Sequence, residues 1–317
     1  MDESKSHLAD VQESNTATCT ILTGAPRSGT TLLGILIGSL GGIDYHHEPP
    51  MFWVLSSLFS MKALSPSAAS CLLKSYLHEE LLIESVHGRR ANLRPTDDSL
   101  VLKAIHWEEL IERWQRIKNR ADAIQYVSNK NLRLAVKTPS VTELIPFFET
   151  ALPKSRFIVI IRDGRDVVRS ILRKGWLTDE GLKDNYWPYK VIDGQKIPSV
   201  VEDSAAERWV GMSATARACY LWGRDAEHAL RLREKASLKD RIHVVMYEQL
   251  RRDPVLVMRD VAKFLSTEMT DLTELGIQRV RPLGKVPEQQ GEDEVFRSVE
   301  ESELRRFREL NAMWGYR

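Results

Sequence analysis

Gly24-Ala25-Pro26-Arg27-Ser28-Gly29-Thr30-Thr31 decides how this chain is read. The run from Ala17 to Leu22 before it is β-branched and apolar, the pattern of a buried strand. Leu32-Leu33-Gly34-Ile35-Leu36-Ile37 after it is apolar on nearly all sides and suits a helix packed on a sheet. Strand, glycine loop and helix together have the spacing of a phosphate loop, G-x-x-x-x-G-x-[ST]. Glycines let backbone N–H groups turn inward, and the helix N-terminus adds partial positive charge, so the loop suits an anion. A nucleoside-triphosphatase loop carries lysine before its last Ser/Thr. Here Thr30 stands there and the cation is Arg27, which argues against a magnesium triphosphate.

Working outward, Gly41 to Tyr45 reads as a return to the sheet, and His46-His47-Glu48-Pro49-Pro50 as an extended turn forced by its prolines. Ser99 to Lys103 and Arg133 to Lys137 have strand character, and Lys137-Thr138-Pro139-Ser140 reads as a proline-bearing helix start. Arg156 to Ile161 is a continuous β-branched run of the kind buried on both faces of a parallel sheet. Arg162-Asp163-Gly164-Arg165-Asp166 and a helical stretch, Val167 to Lys174, follow it directly. Residues 175–203 lose any regular pattern and read as a substrate loop or lid. Helix returns from Ser204 to Lys235 and from Asp253 to Leu265, with a strand from Arg241 to Met246 between them and an amphipathic helix from Glu300 to Trp314 at the end.

This alternation predicts an α/β fold, a P-loop-like three-layer αβα sandwich around a central parallel sheet. Ligands bind such sheets at the carboxyl ends of the strands. Both the Gly24–Thr31 loop and the Arg162–Asp166 turn fall there, so one cleft should hold both. The organisation expected is a polar tail over 1–16 and a single domain over 17–317.

Composition narrows the partners. In 317 residues, 45 basic side chains meet 44 acidic ones, with 43% hydrophobic and 28% charged residues. Such a balance fits a globular chain and excludes a disordered tail or a nucleic-acid coat. Cys19, Cys71 and Cys219 are far apart without a C-x-x-C pair, which fits a reducing compartment. With a polar, acidic N-terminus and no membrane-spanning run, a cytoplasmic location is expected.

The two motifs carry a resemblance. Gly24 to Leu33 and Phe157 to Ser170 look like the 5′- and 3′-phosphate-binding motifs of sulfotransferases that use 3′-phosphoadenosine-5′-phosphosulfate (PAPS). The likeness extends to Lys137-Thr138-Pro139, to Tyr247-Glu248-Gln249-Leu250 with Asp253-Pro254, and to the terminal Phe307-x-x-Leu310-Asn311 with Gly315-Tyr316. It is closer to the carbohydrate and tyrosylprotein branch and its bacterial relatives than to the phenol and steroid branch, whose K-T-H-x-P motif supplies a histidine base.

The resemblance implies PAPS as sulfuryl donor, PAP as product and no required metal. It places Arg27, Ser28, Gly29, Thr30 and Thr31 on the 5′-phosphate and bridging oxygen. Arg162 and Ser170 would hold the 3′-phosphate, with Arg281 or Lys285 as further clamps. Glu48, followed by proline, matches the branch's general base. Read from its own surroundings, a carboxylate beside a phosphate cleft suits that task once partial burial raises its pKa; its structural alternative is an ion pair with Arg27 or a neighbouring lysine. Lys137 would reach the sulfuryl oxygens, its alternative being a surface cation at a strand end, and His106 is the fallback base. Adjacent His46 and His47 would project differently from an extended chain, which disfavours a joint metal site with Glu48. His47, Trp187 and Tyr189 are the candidate acceptor contacts, whereas Trp209 and Trp222, at helical spacing, read as core. The acceptor expected is a small molecule, carbohydrate or natural product with a hydroxyl or amine, and the assembly a homodimer. The rival readings are a P-loop kinase and a non-enzymatic nucleotide-binding protein.

Overall fold

Arg156–Ile161 and Arg133–Lys137 form strands over the residues expected. In the computed structural model, which describes residues 18–184, 188–283 and 292–316, they are β4 and β3 of a sheet completed by β1 (Thr20–Thr23), β2 (Ile43–His47) and β7 (Ile242–Met246). Every pairing in this five-stranded sheet is parallel, in the order β2-β3-β1-β4-β7. All five strands therefore end on one edge. The chain leaves β1 toward β2 and β3 on one side and later builds β4 and β7 on the other, so the end of β1 is the topological switch point where such sheets bind ligands.

The period of two along β4 divides the core. Phe157, Val159 and Ile161 face one apolar layer with α2 (Gly164–Leu172), α3 (Ala214–Glu234) and α6 (Glu301–Met313). Ile158 and Ile160 face the other, with α1 (Thr30–Gly38), α4 (Pro254–Leu265) and α5 (Asp271–Gln278). The expected three-layer αβα arrangement is what the chain builds. Trp209 and Trp222 are core residues, each 1% exposed.

Four local expectations are corrected. Ser99 to Lys103 is no strand: Asp97 accepts from the Ser99 N–H and hydroxyl, Lys103 donates to the Asp97 carbonyl, and Val101–Lys103 coils into a 3-10 turn. Lys137-Thr138-Pro139-Ser140 does not start a helix. Ser140 turns at φ 58°, and helical structure waits for Thr142–Leu144 and Ile145–Ala151. The stretch from Ser204 to Lys235 is broken at Met212, because Ser213 caps α3 through the Ala216 N–H. Finally, residues 175–203 are not structureless. Asp179–Asp184 is helical, and β5 (Tyr189–Ile192) pairs antiparallel with β6 (Gln195–Pro198) across Asp193-Gly194, at φ 49° and 76°. Two consecutive positive φ values belong to a type I′ hairpin turn, for which Asp-Gly is a favoured pair.

Candidate active site

The first loop is shaped by backbone that cannot carry other side chains. Gly24 has φ 145°, and a Cβ there would stand 2.3 Å from the Ile160 carbonyl. Gly29, at φ 94°, is the N-cap of α1, and a Cβ would lie 2.3 Å from the Tyr247 ring. No side chain among the described residues caps α1, which leaves its first N–H groups facing the loop. Arg27 itself is left-handed at φ 70°. For a residue with a Cβ this conformation is uncommon, and it turns the side chain out of the loop toward the second motif.

There the motifs meet. Arg27 Nε donates to Ser170 Oγ at 3.1 Å, and Arg162 Nη1 donates to the Arg27 carbonyl at 3.1 Å. The indole of Trp176 lies under the Arg27 guanidinium, 5.7 Å from carbon to ring centroid. Arg162 also reaches Asp166 Oδ2 at 3.3 Å, while Arg165 pairs with Asp163. The ion-pair network that the R-D-x-R-D pattern alone would suggest is therefore present, but it leaves Arg162 Nε buried without a hydrogen-bond partner. Ser28 Oγ and Thr138 Oγ1 are in the same condition. Buried polar groups are nearly always satisfied in folded proteins, so three orphans around two anion motifs are what a polar ligand would answer. A doubly phosphorylated nucleotide fits that donor set.

At the ends of β2 and β3 a second pair forms. His47 and Lys137 are register partners, and the Glu48 N–H donates to the Lys137 carbonyl at 2.8 Å. Glu48 turns left-handed at φ 45° and its carboxylate accepts a short hydrogen bond from Lys137 Nζ. The same ammonium donates to Thr31 Oγ1 at 3.2 Å, joining the carboxylate to the phosphate loop. Lys137 is 2% exposed, so it is no surface cation; Glu48 is 48% exposed and faces the solvent side of the pair. Burial lowers the Lys137 pKa, and the Glu48 charge pushes back against that fall. His47 is likewise lowered, by burial first and then by the Lys137 ammonium. Its Nδ1 is 3.4 Å from the Tyr45 hydroxyl, whereas His46 Nε2 contacts Asp44 at 3.0 Å. The two imidazoles thus leave the strand on opposite faces.

Behind these groups stand residues whose roles the sequence did not disclose. The Tyr247 ring underlies Gly29 and stacks on the Arg162 guanidinium, 4.5 Å from its centroid. Glu248 accepts from the Asp163 N–H at 3.1 Å and from the Tyr316 hydroxyl. Asn311 Oδ1 accepts from the Gly164 N–H at 2.8 Å, and Trp222 Nε1 donates to the Arg162 carbonyl at 3.0 Å. These contacts fix the turn between β4 and α2. The sequence signals for them were the motif likeness at Tyr247-Glu248, Asn311 and Tyr316 and the helical spacing that marks Trp222 as core.

Other candidates lie elsewhere. His106 is exposed and pairs with Asp271 at 2.9 Å. Asp271 opens α5, whose cap Thr270 bonds the Ser39 carbonyl at the far end of α1, and the hydrogen bond of His106 is made there, to Asp271. Arg281 is exposed; its carbonyl accepts from Arg251, which lies over Tyr247. Tyr189 is exposed on β5 beneath the Lys196 ammonium. Lys285 and Trp187 lie outside the described residues.

A family model described as the sulfotransferase domain matches residues 18–281. The chain belongs to the sulfotransferase domain family. Sulfuryl transfer is accordingly its chemistry, and the protein is a transferase. Similar solved structures include the sulfotransferase domain from the Synechococcus PCC 7002 olefin synthase, 16% identical over 95% of each chain with a TM-score of 0.48. The sulfotransferase domain from the curacin biosynthetic pathway is 15% identical over 95% of this chain and 98% of that one, TM-score 0.48. Mouse sulfotransferase SULT7A1, solved with PAP, is 15% identical over 93% of this chain and 83% of that one, TM-score 0.40. No curated protein matches the chain. Among the described residues, no helix of this sulfotransferase is long and apolar enough to cross a membrane.

Proposed function

We propose that this sulfotransferase moves the sulfuryl group of PAPS to a hydroxyl of a small-molecule, carbohydrate or natural-product acceptor. What carries the reading is the order of side chains along one sheet edge: Glu48 after β2, Lys137 at the end of β3, the Arg27 loop after β1, Arg162 after β4. The two arginine-bearing motifs stand side by side, as two separate phosphates on one nucleotide require, and the acid–base pair stands on the far side of the loop from Arg162.

PAPS, when bound, supplies the activated sulfur. Ser170 and Arg162 hold the 3′-phosphate, and Ser28, the loop amides and the Thr30 and Thr31 hydroxyls hold the 5′-phosphate. Glu48 takes the acceptor proton as the acceptor oxygen forms its bond to sulfur and the bond from sulfur to the 5′-phosphate oxygen breaks. Arg27 meets the negative charge that grows on that bridging oxygen, and Lys137 steadies the sulfuryl oxygens. Charge neutralisation comes from arginine, lysine and backbone amides already in place, so a metal is not needed for the step.

An acceptor screen with sulfur-labelled PAPS and mass detection of the added sulfo group tests the reading. Transfer to a hydroxyl acceptor together with PAP binding in preference to ATP supports it; binding that prefers ATP would overturn it.

A further inference from the structure

Away from the cleft, α3 sends two buried arginines to the two ends of the 175–203 segment. Arg217 holds the entry, donating to the Leu177 carbonyl at 3.0 Å and to Asp179 at 2.7 Å. Arg224 holds the exit through the Val200 carbonyl, and donates to the Ser140 carbonyl at 3.1 Å and to Glu143 Oε2 at 2.7 Å. Beside Arg224 the exit limb brings Glu202 toward His228 on α3. One ligating atom from each of Glu143, Glu202 and His228 lies within 4.8 Å of the other two.

The spacing is informative. His228 Nε2 and Glu202 Oε1 are 3.8 Å apart, too far for a hydrogen bond. Two ligands each about 2.0–2.2 Å from a shared tetrahedral ion stand roughly 3.3–3.6 Å apart. The three atoms, within 4.8 Å of one another, must draw together to reach that separation, and Glu202, 51% exposed, is the side chain with room to move. Arg224 engages only one oxygen of Glu143 in a hydrogen bond, leaving the other for an ion. Asp225, 1% exposed, lies beside Glu143 and His228, its Oδ1 3.6 Å from the Arg224 guanidinium and without a hydrogen-bond partner. A ring nitrogen with two carboxylate oxygens suits a borderline cation, whereas calcium and magnesium favour all-oxygen shells.

We propose that Glu143, Glu202 and His228 form a site for a divalent cation of the zinc type, which fastens the exit of the 175–203 segment to α3 and to the turn that follows Lys137. The site is independent of the sulfuryl-transfer reading, since none of its ligands touches the cleft motifs.

The full chain, stripped with a chelator and titrated with zinc chloride by calorimetry, tests it, with the melting temperature followed in parallel. One ion per chain and a rise in melting temperature are expected. Both should weaken by more than about tenfold in affinity in Glu202→Gln and in His228→Gln, since even an outer-shell partner of a metal is worth that much. Far-ultraviolet circular dichroism and a cooperative urea transition of the zinc-free variants, matching those of the zinc-free wild type, would show that they fold. Absence of stoichiometric binding overturns the proposal, and so does wild-type affinity in either variant, which would assign the ion to another surface group such as the exposed Cys71.

Discussion

Arg27 and Ser170 are 143 residues apart in sequence and share a hydrogen bond of 3.1 Å. The bond ties the loop after β1 to α2, so each motif presets the other. Ser170→Ala removes both the hydroxyl proposed for the 3′-phosphate and the acceptor that orients Arg27. A charge-assisted hydrogen bond is worth about 1.5–3 kcal/mol, so PAP affinity should fall roughly ten- to a hundredfold. Equilibrium titration with PAP measures it, and an affinity unchanged within twofold would refute the shared role.

Glu48→Gln keeps the shape and a hydrogen-bond acceptor for Lys137 but cannot take a proton. General-base catalysis contributes about 10²–10⁴-fold, so kcat should fall within that range while PAP affinity stays. A variant with wild-type kcat would return Glu48 to a purely structural ion pair with Lys137.

In the role proposed for it, Lys137 must be protonated to meet sulfuryl oxygens. Burial lowers its pKa against the opposing pull of Glu48, so activity should be lost as pH rises at values below the ordinary lysine range. Lys137→Arg, which stays charged, should move that alkaline limb to higher pH in a kcat profile, even at reduced rate. An unmoved limb would assign the titration to another group.

Gly164 opens α2 where α3 and α6 converge. A Cβ there would lie 2.8 Å from each of Asn311, Phe307 and Trp222. Overpacking a filled site costs about 1–3 kcal/mol, so Gly164→Ala should lower stability by that amount in urea unfolding. It should also weaken PAP binding by displacing the Arg162 turn. Asn311→Ala, which orphans the Gly164 N–H, should cost about 1–3 kcal/mol without adding bulk.

Asp44 is buried on β2 between Arg113 at 2.9 Å, His46 and Ser85. Burial by itself would raise its pKa, but the Arg113 charge and the His46 and Ser85 hydrogen bonds carry it well below the carboxylate range. A depressed folded-state pKa gives stability that is complete above the unfolded value near 4 and is lost as pH falls below it. Wild-type unfolding free energy should therefore decline below about pH 4, and Asp44→Asn should flatten that decline while lowering stability at pH 7. An identical acid slope in the two proteins would show that the pair is not the group responsible.

Local chemistry made the sheet legible. Arg156–Ile161 announces itself because a β-branched run buried on both faces has no other stable use, Arg133–Lys137 by its short apolar centre, and the loop glycines because only glycine tolerates Gly24 and Gly29 geometry. The Asp193-Gly194 hairpin was equally local, and reading 175–203 by its lack of apolar periodicity passed over the turn. Glu48 was found beside its prolines, but not its partner: the sequence allowed Arg27 or any nearby lysine. Lys137 became that partner only because β2 and β3 pair in parallel with His47 opposite Lys137, a register set by nonlocal hydrogen bonds. The same holds for Tyr247, Glu248 and Asn311, which reach the second motif from distant elements, and for His106, which sequence placed near the cleft and the fold ties to α5. Residue type and spacing determined which chemistry this chain carries. Strand order and the packing of α3 and α6 decided which of those groups share an edge, because neighbours in a parallel sheet are chosen by the whole chain.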